Sequence, residues 1–484
     1  MFKEAQENLS MEKTGDEKYG RVQGSLIIVG FGSIGQALLR LLLQHLEIHP
    51  KQIRIISADE SGRDIARQFG VEFMLHVLTE ENYPALIEPW LNKGDFLLNL
   101  SVDVSSLALM ELCWRRGSLY LDTCIEPWLG GYTDKSISVS LRSNYALREK
   151  ALAFAREKRR GPTALVAHGA NPGLASAFVK QALLNVAADT GLTVKRPVNP
   201  ADWAELASRL EIKAIHIAER DTQTSNRHKH SDEFVNTWSV EGFVGESLQP
   251  SELGWGSHER HWPQDGGRHG FGCDAAIYLN QPGAATRVRS WVPLGGSYHG
   301  FLITHSESIS IADHLTLKEN EKVIYRPTVH YAYLPCDDAV LSIHELAGRN
   351  WRLQPSKRIL RDEIVDGTDE LGVLLMGHAK GAYWYGSRLS IQEARRLAPH
   401  NNATSLQVAA GVLAGMAWVL QNPDAGVVEP DDIDHEVVLK IARPYLGEVS
   451  GVYTDWTPLC DRGWLFSEDV DRSDPWQFKN IRVS

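Results

Sequence analysis

Cysteine is scarce in this chain. The five cysteines (Cys113, Cys124, Cys273, Cys336 and Cys460) are scattered and form no C-x-x-C pair. That pattern excludes a disulfide scaffold and a structural zinc ribbon, and it points to a reducing, cytoplasmic setting. Cys113 and Cys124 fall in a helix–strand unit and read as core fillers. A basic surplus is lacking as well: 50 Lys+Arg stand against 61 Asp+Glu, a net charge of −11, with no dense Lys/Arg stripe. The electrostatic footprint of a nucleic-acid partner is absent, and cationic partners are favoured in the far field. The longest apolar run, about 408–420, falls short of the ~20 residues that span a bilayer. Its small residues suit a buried helix, and no membrane is expected as a partner. The first 22 residues are polar and mixed in charge, without the apolar centre of a signal peptide. Internal repeats and low-complexity tracts are missing too.

What is there starts with length. The 484 residues, 43% of them hydrophobic, exceed one ordinary core, so two or three domains are expected. Gly30-Phe31-Gly32-Ser33-Ile34-Gly35 follows the apolar run 25–29 and precedes an amphipathic run, 36–46. This is G-x-G-x-x-G between a strand and a helix, the context in which it marks a dinucleotide site. Its first glycine permits the turn, the second lets the backbone approach a pyrophosphate, and the third lets helix and strand pack closely. The free N–H groups of the new helix face the phosphates.

Strand-like runs at 26–29, 53–57, 72–76, 96–100 and 119–122 alternate with helical runs near 36–46, 62–69, 83–91 and 104–116. The alternation predicts an α/β fold with a doubly wound parallel sheet of Rossmann type. Ligands of such sheets lie beyond the carboxyl ends of the strands. Asp59 and Glu60 follow the second strand; Asn99, Ser101 and Asp103 the fourth; Asp122, Thr123 and Glu126 the fifth. Asp59 is placed to accept from the adenosine ribose, which favours NAD over NADP, although Arg63 stands near enough to meet a phosphate. Asp59 alternatively serves as a helix N-cap, a task Ser61 performs equally well.

A helix over 144–158 ends in Arg159-Arg160-Gly161-Pro162, a domain boundary. From about 210 to 335 the pattern turns strand-rich, at 212–218, 234–239, 275–279, 287–292, 301–306 and 328–333, and predicts a mostly antiparallel sheet in an inserted α+β domain. The segment 250–272, rich in Gly, His, Trp and Pro, reads as a long ordered loop. Its histidines (His258, His261, His269) match no metal-ligand spacing, so no metal is expected. From about 385 the chain reads as helical, notably over 405–420.

Three segments share one kinship: His168-Gly-Ala-Asn-Pro-Gly173, Asn236-Thr-Trp-Ser-Val-Glu-Gly-Phe-Val-Gly-Glu246, and Gly300-Phe-Leu-Ile-Thr-His305-Ser-Glu. With the glycine turn before them, the chain resembles the bacterial homospermidine synthases of the saccharopine dehydrogenase-like superfamily. The resemblance covers nearly the whole chain. It implies an NAD-binding Rossmann domain at 1–160, a substrate-binding and dimerisation domain at 161–385, and a helical segment at 386–484 that returns to the first domain. It also implies a homodimer, and a reaction. An aminobutyl group passes from putrescine, or spermidine, to putrescine through imine intermediates. Homospermidine forms, ammonia leaves when putrescine is the donor, and NAD is regenerated in each turnover.

Putrescine is a dication, its amines having pKa values near ~10 like lysine. A pocket for it needs carboxylates at the ends and apolar or aromatic walls between. The resemblance places Glu246 at the reactive amine, where a carboxylate holds the cation and then takes its proton. It sets Trp238 against the cationic intermediate and Asp103 and Asn171 where they position the substrate. Glu126 and Glu219 hold the distal ammonium or guide amines inward, and His305 forms a further polar wall. The cofactor set is Gly30, Gly32, Ser33, Ile34, Gly35, Asp59, Asn99, Ser101 and Thr123. Taken alone, several of these residues have plainer readings. Trp238 is one tryptophan of 14 and reads as core or interface. Glu219 reads as half of a surface pair with Arg220, Glu126 as the start of a turn before Pro127, and His305 as a satisfied buried histidine on a strand. The alternative activity is a net NAD(P)-dependent dehydrogenase of the carboxynorspermidine or saccharopine type. Such an enzyme needs an arginine clamp for a substrate carboxylate, whereas the segments above are acidic and aromatic.

Overall fold

The structure is a computed structural model that describes residues 17–158, 160–399 and 401–483. The polar opening segment up to residue 16, and Arg159 of the expected boundary, lie outside the described residues.

The first sheet is built from β1 (Leu26–Val29), β2 (Ile53–Ser57), β3 (Glu72–Leu75), β4 (Phe96–Asn99), β5 (Leu119–Asp122) and β6 (Ala164–Leu165). The order across it is Val427–Val428, β6, β5, β4, β1, β2, β3, and every pair is parallel. Helices α1 (Ser33–His45), α2 (Arg63–Gln68), α3 (Ser106–Arg116) and α4 (Asn144–Glu157) accompany it. All four residues of β1 and of β4 are buried. That is why Leu-Ile-Ile-Val and the Phe-Leu-Leu of β4 are apolar throughout rather than alternating, with the polar Asn99 at the strand's end. The chain runs from β1 to β2 and β3 on one side, then to β4, β5 and β6 on the other. The order therefore reverses between β1 and β4, and a crevice opens there beyond the strand ends.

The second sheet holds ten strands among the described residues. These are β7 (Ala214–Asp221), β8 (Pro250–Gly254), β9 (Gly266–Arg268), β10 (Ala276–Pro282), β11 (Arg287–Val292), β12 (Gly296–Phe301), β13 (Thr328–Leu334), β14 (Thr368–Met376), β15 (Ala382–Ser390) and β16 (Glu448–Thr454). The main path is β9-β10-β8-β13-β7-β14-β15-β16, with the hairpin β11–β12 joined to β13. Strands β7 and β13 run parallel, and the other pairs are antiparallel. Helix α5 (Leu174–Asp189) packs on β14 and β15, helix α6 (Val240–Leu248) follows the strand Glu233–Asn236, and helix α7 (Ser306–His314) packs on β8 and β13. Trp384, Trp456, Trp476, Phe478 and Ile481 belong to a separate apolar cluster with Ala214 and Ala218 of β7, so the chain's last segment joins this sheet.

Four expectations are corrected. The segment 250–272 is not one loop, since it contributes β8 and β9. Its Pro, Ser and Gly resemble turn chemistry, but all five β8 residues are buried in mid-sheet, and Pro250 is tolerated at a strand's first position. The strand expected at 301–306 ends at Phe301, and Ser306 opens α7. The first seven residues of α7 are all buried, so its burial hides the helical period. The strand expected at 234–239 ends at Asn236, after which the Ser239 side chain caps α6 by accepting from Gly242 N. Beyond 385 the chain is only partly helical. Helix α8 (Ala403–Gln421) packs on α1, Val427–Val428 extends the first sheet, and β16 extends the second. By length and composition α8 is apolar enough to cross a membrane, but most of it is buried inside the fold.

Candidate active site

The glycine turn folds as its spacing requires. Gly30 has φ +84°, where a Cβ would meet Leu100 C and Ser101 N at 2.7 Å, so no other residue fits. A Cβ on Gly35 would lie 2.9 Å from the Phe31 ring and 3.1 Å from Gly30 O, whereas one on Gly32 would meet nothing within 4 Å. The turn is thus tight on its protein side and open on its outer side. Helix α1 begins there with no side-chain cap and no acidic residue in its first turn. The Ser33 hydroxyl is buried without a partner. Free helix N–H groups, an orphaned hydroxyl and a position without a side chain together fit a pyrophosphate. Across the crevice, Asn99 at the end of β4 accepts from Ser101 N at 3.2 Å and from Ser101 Oγ at 2.5 Å. Thr123 is half-buried just past β5. Asp59 is exposed and accepts from Ser61 N at 2.8 Å, and Arg63 is engaged by Glu60 at 2.9 Å.

The residues expected to meet substrate form two bonded sets, Asp103 with Glu126 and Asn171 with Glu219, Tyr331, Tyr333, Trp238, His305 and Glu246, and the charge of Glu246 acts on Glu126. Asp103, at φ +60°, donates its backbone N–H to Glu126 Oε2 at 3.4 Å. Glu126 is buried behind β5, anchored by Ser106 Oγ, which accepts from its N–H at 3.0 Å. Burial pushes its carboxyl up to about 8, with the charges of Glu246 and Asp103 adding to the rise. Asp103 is likewise raised, by burial and then by the charge of Glu241. Asp122, at the end of β5, accepts from Ala167 N at 2.6 Å and Tyr120 Oη at 2.8 Å, and burial lifts it to about 6. It thereby ties β5 to the segment that carries Asn171. Within that segment Gly169 N donates to Pro172 O at 2.6 Å, and Gly173 takes φ +128° against Gly169. This tight loop projects Asn171, whose Nδ2 donates to Glu219 Oε2 at 2.7 Å.

Glu219 lies on β7, and the same Oε2 accepts from Tyr331 Oη of β13 at 2.5 Å. Its carboxyl is raised by burial and by the neighbouring charge of Asp221, against the bonds from Tyr331 and Asn171 and the charge of His305. The Tyr331 ring stacks on Tyr333 at 5.1 Å and lies 4.5 Å from His305. Trp238 Nε1 donates to Tyr333 Oη at 3.3 Å, and its half-buried ring leans on Phe243 at 5.5 Å. His305 Nε2 is 3.0 Å from Glu246 Oε2 of α6. Each substrate-pocket residue named from the sequence therefore touches another, or a tyrosine that joins them. The plainer reading of Glu219 fails: it points inward, while Arg220 points to Gly295 O at 2.9 Å. His305 sits in extended backbone ahead of α7 rather than on a strand.

Sequence reasoning missed Tyr331, Tyr333, Glu307, Cys124 and Tyr132. The period-2 alternation of Val329-His-Tyr-Ala-Tyr333 places both tyrosines on one strand face, a signal that was available. Cys124 is half-buried beside Glu126, not in the core; burial and then the charges of Glu126 and Glu246 hold its thiol far above its ordinary value. Tyr132 faces the same carboxylates, and its hydroxyl donates to Ile125 O at 3.2 Å. Among the described residues, no hydrogen bond or ion pair joins an arginine or lysine to Asp103, Glu126, Glu219 or Glu246. The histidines of 258–269 are engaged separately: His258 with Trp476 O, His261 with Asp471, and His269 with Ser140 and the Tyr145 ring. No group of three or more His, Cys, Asp and Glu among the described residues is arranged to hold a metal.

Comparison with known proteins agrees with this fold. The saccharopine dehydrogenase NADP binding domain matches residues 26–165, and the saccharopine dehydrogenase C-terminal domain matches 169–454. Homospermidine synthase of Blastochloris viridis is 55% identical, over 96% of this chain and 98% of that protein. Homospermidine synthase of Mesorhizobium japonicum is 51% identical, over 96% and 97%. The crystal structure of the Legionella pneumophila homospermidine synthase, in complex with NAD, superposes with a TM-score of 0.90. It is 52% identical and covers 96% of this chain and 98% of that one.

Proposed function

Because this chain belongs to the homospermidine synthases, a branch of the saccharopine dehydrogenase family, we propose that it moves an aminobutyl group from putrescine or spermidine to putrescine. The products are homospermidine and, with putrescine as donor, ammonia. The single observation that carries the reading is the site's composition: Asp103, Glu126, Glu219 and Glu246, beside Trp238, Tyr331 and Tyr333, with no arginine bound to these carboxylates among the described residues. Such a pocket suits a flexible dication and rejects a substrate carboxylate. A net dehydrogenase of an amino acid adduct is disfavoured for that reason.

The cofactor is NAD. Gly30, Gly32, Ser33, Ile34 and Gly35 would hold its pyrophosphate, Asp59 its ribose, and Asn99, Ser101 and Thr123 its nicotinamide half. When bound, it accepts a hydride from an amine-bearing carbon and later returns it to an imine. The chain's own residues do the remainder. Glu246 holds the reactive amine and takes its proton. Trp238 offers an aromatic face to the iminium cation, an interaction of ~2 kcal/mol when desolvated. Asn171 and Asp103 orient the carbon chain. Glu219 and Glu126 receive the far ammonium groups. The hydride lent is the hydride returned, so the reaction is redox-neutral and the protein is a transferase on a dehydrogenase fold. Two further parts of the reading are a cytoplasmic setting, which five free cysteines support, and a homodimer, which the family resemblance supports.

The test is incubation with putrescine and a trace of NAD, followed by identification of the polyamine. Homospermidine and ammonia in equal amounts, with no accumulation of NADH, is the expected result. Stoichiometric consumption of reduced cofactor, or no turnover, overturns it.

A further inference from the structure

His305 presents both ring nitrogens to carboxylates. Nε2 lies 3.0 Å from Glu246 Oε2, and Nδ1 lies 3.1 Å from Glu307 Oε1. A neutral imidazole carries one N–H, so it satisfies one contact and turns a lone pair on the other. The two contacts coexist only when the array holds one additional proton, on the ring or on a carboxyl group. The site is dry enough for this to matter: the side chains of Glu307, His305 and Glu246 are 0%, 7% and 13% exposed. The second oxygen of Glu307 has no partner. Glu307 sits in the first turn of α7, two residues after His305, and the His305 ring lies between it and Glu246. His305 is otherwise faced by the Tyr331 ring at 4.5 Å and by the charge of Glu219. The charges of Glu307 and Glu246 more than offset burial and hold its imidazolium well above the ordinary range.

We propose that Glu307 is a positioning residue: by fixing the Nδ1 proton of His305, it makes the His305–Glu246 pair a store for the one proton that shuttles during aminobutyl transfer. This rests on the reading of the pocket as a homospermidine synthase site. The proton balance of that reaction calls for such a store. Two putrescine dications become a homospermidine trication and an ammonium ion, so no proton is consumed or released overall. The donor amine must nevertheless lose a proton before its carbon gives up hydride. When the acceptor amine has added to the imine carbon, the old C–N bond breaks with its electron pair going to the departing nitrogen. That nitrogen takes a proton, the added nitrogen gives one up to the same pair so that its lone pair forms the C=N bond, and the reduced secondary amine regains that one; the proton that the acceptor ammonium sheds to solvent on entry is matched by the one that ammonia takes up on leaving. A buried pair that takes the first proton and returns it at the second step keeps it from solvent. Without the Glu307 carboxylate, the Nδ1 proton has no fixed partner and the imidazolium loses half of its support.

The experiment is nitrogen NMR of histidine-labelled protein, free of substrate, with the pH–rate profile of putrescine turnover. In the wild type, His305 should remain imidazolium through neutral pH. In Glu307→Gln it should titrate lower by ~1 unit or more, the loss expected for one close carboxylate. The alkaline limb of kcat should fall by the same interval, with little change in KM, and Glu307→Asp should largely restore both. A wild-type His305 that titrates at its ordinary value overturns the proposal, even if the glutamine variant fails to fold. So does an unmoved alkaline limb in a folded Glu307→Gln protein. Absence of homospermidine from the wild type would instead overturn the reading of the site, and the histidine titration would still be decided separately.

Discussion

Trp238 and Glu126 make the most exposed claims about single residues. The role proposed for Trp238 is an aromatic face where a cation forms, so Trp238→Ala should fold and bind NAD but lose roughly thirty-fold or more in kcat, the equivalent of ~2 kcal/mol. Trp238→Phe should retain an intermediate rate. Near wild-type turnover in the alanine variant would remove the cation from that position. The inner and outer carboxylates are ranked by the same logic: Glu246→Gln should cost more kcat than Glu219→Gln, and the reverse order would exchange their roles. Glu126, pushed to about 8 by burial, is largely protonated at neutral pH in the free enzyme. An arriving ammonium favours its ionised form. Putrescine binding near pH 7 should therefore release a proton and tighten as pH rises toward 8, and Glu126→Gln should abolish both effects. Calorimetry in buffers of differing ionisation heat measures this directly. Glu219 shows what was legible at this scale. Read as a pair, Glu219-Arg220 looks like surface; read with strand alternation, the two point to opposite faces, one into the pocket and one out to Gly295 O.

At the scale of elements, the glycine turn separates folding from binding. Gly30→Ala places a methyl 2.7 Å from backbone atoms at φ +84°, and the conformation alone costs ~1–2 kcal/mol. It should lower the melting temperature and abolish NAD binding. Gly32→Ala meets no protein atom within 4 Å, so it should melt like the wild type yet weaken NAD strongly, because its methyl projects toward the phosphates. Fluorescence titration with NAD and thermal melts distinguish the two; equal melting with unchanged affinity in Gly32→Ala would contradict the assignment of that face. The first sheet was legible because its strands are apolar at most positions and its turns carry glycine at required places. Helix α6, strand β8 and helix α7 were not. Glycine and serine in α6, proline in β8 and full burial in α7 erase the local periods, and tertiary packing alone decides them. That is also why Glu246 and His305 were found through motif resemblance rather than through the elements that hold them.

For the whole molecule, the pocket's charge has a cost in stability. Burial raises Asp122 to about 6 and Glu126 to about 8 beside the pocket, and Glu259, which accepts from Thr328 and Phe478 N away from it, to about 7, against ~4 for carboxyls in an unfolded chain. A raised carboxyl binds more proton folded than unfolded, so its stabilising contribution is present below ~4 and is lost as pH climbs through the folded values. Buried histidines act oppositely. His168, His330 and His378 are lowered by burial to about 4, so they add stability as pH rises from there to ~6.5. The substrate-free protein should therefore melt highest near ~pH 6 and progressively lower toward pH 8.5. Putrescine, which neutralises the pocket, should flatten the alkaline decline. A melting temperature that rises between pH 7 and 8.5 without substrate would contradict this balance.

The fold unites a dinucleotide crevice with an acidic, aromatic pocket built by a second sheet, and the central claim is that hydride is lent and returned within that enclosure. The most direct measurement uses putrescine deuterated at both amine-bearing carbons, with excess unlabelled NADH in solution. The account predicts homospermidine that retains every carbon-bound deuterium, because the hydride returns from the cofactor that took it. Homospermidine lacking one deuterium would show that reduction draws on the external pool, and would contradict the account.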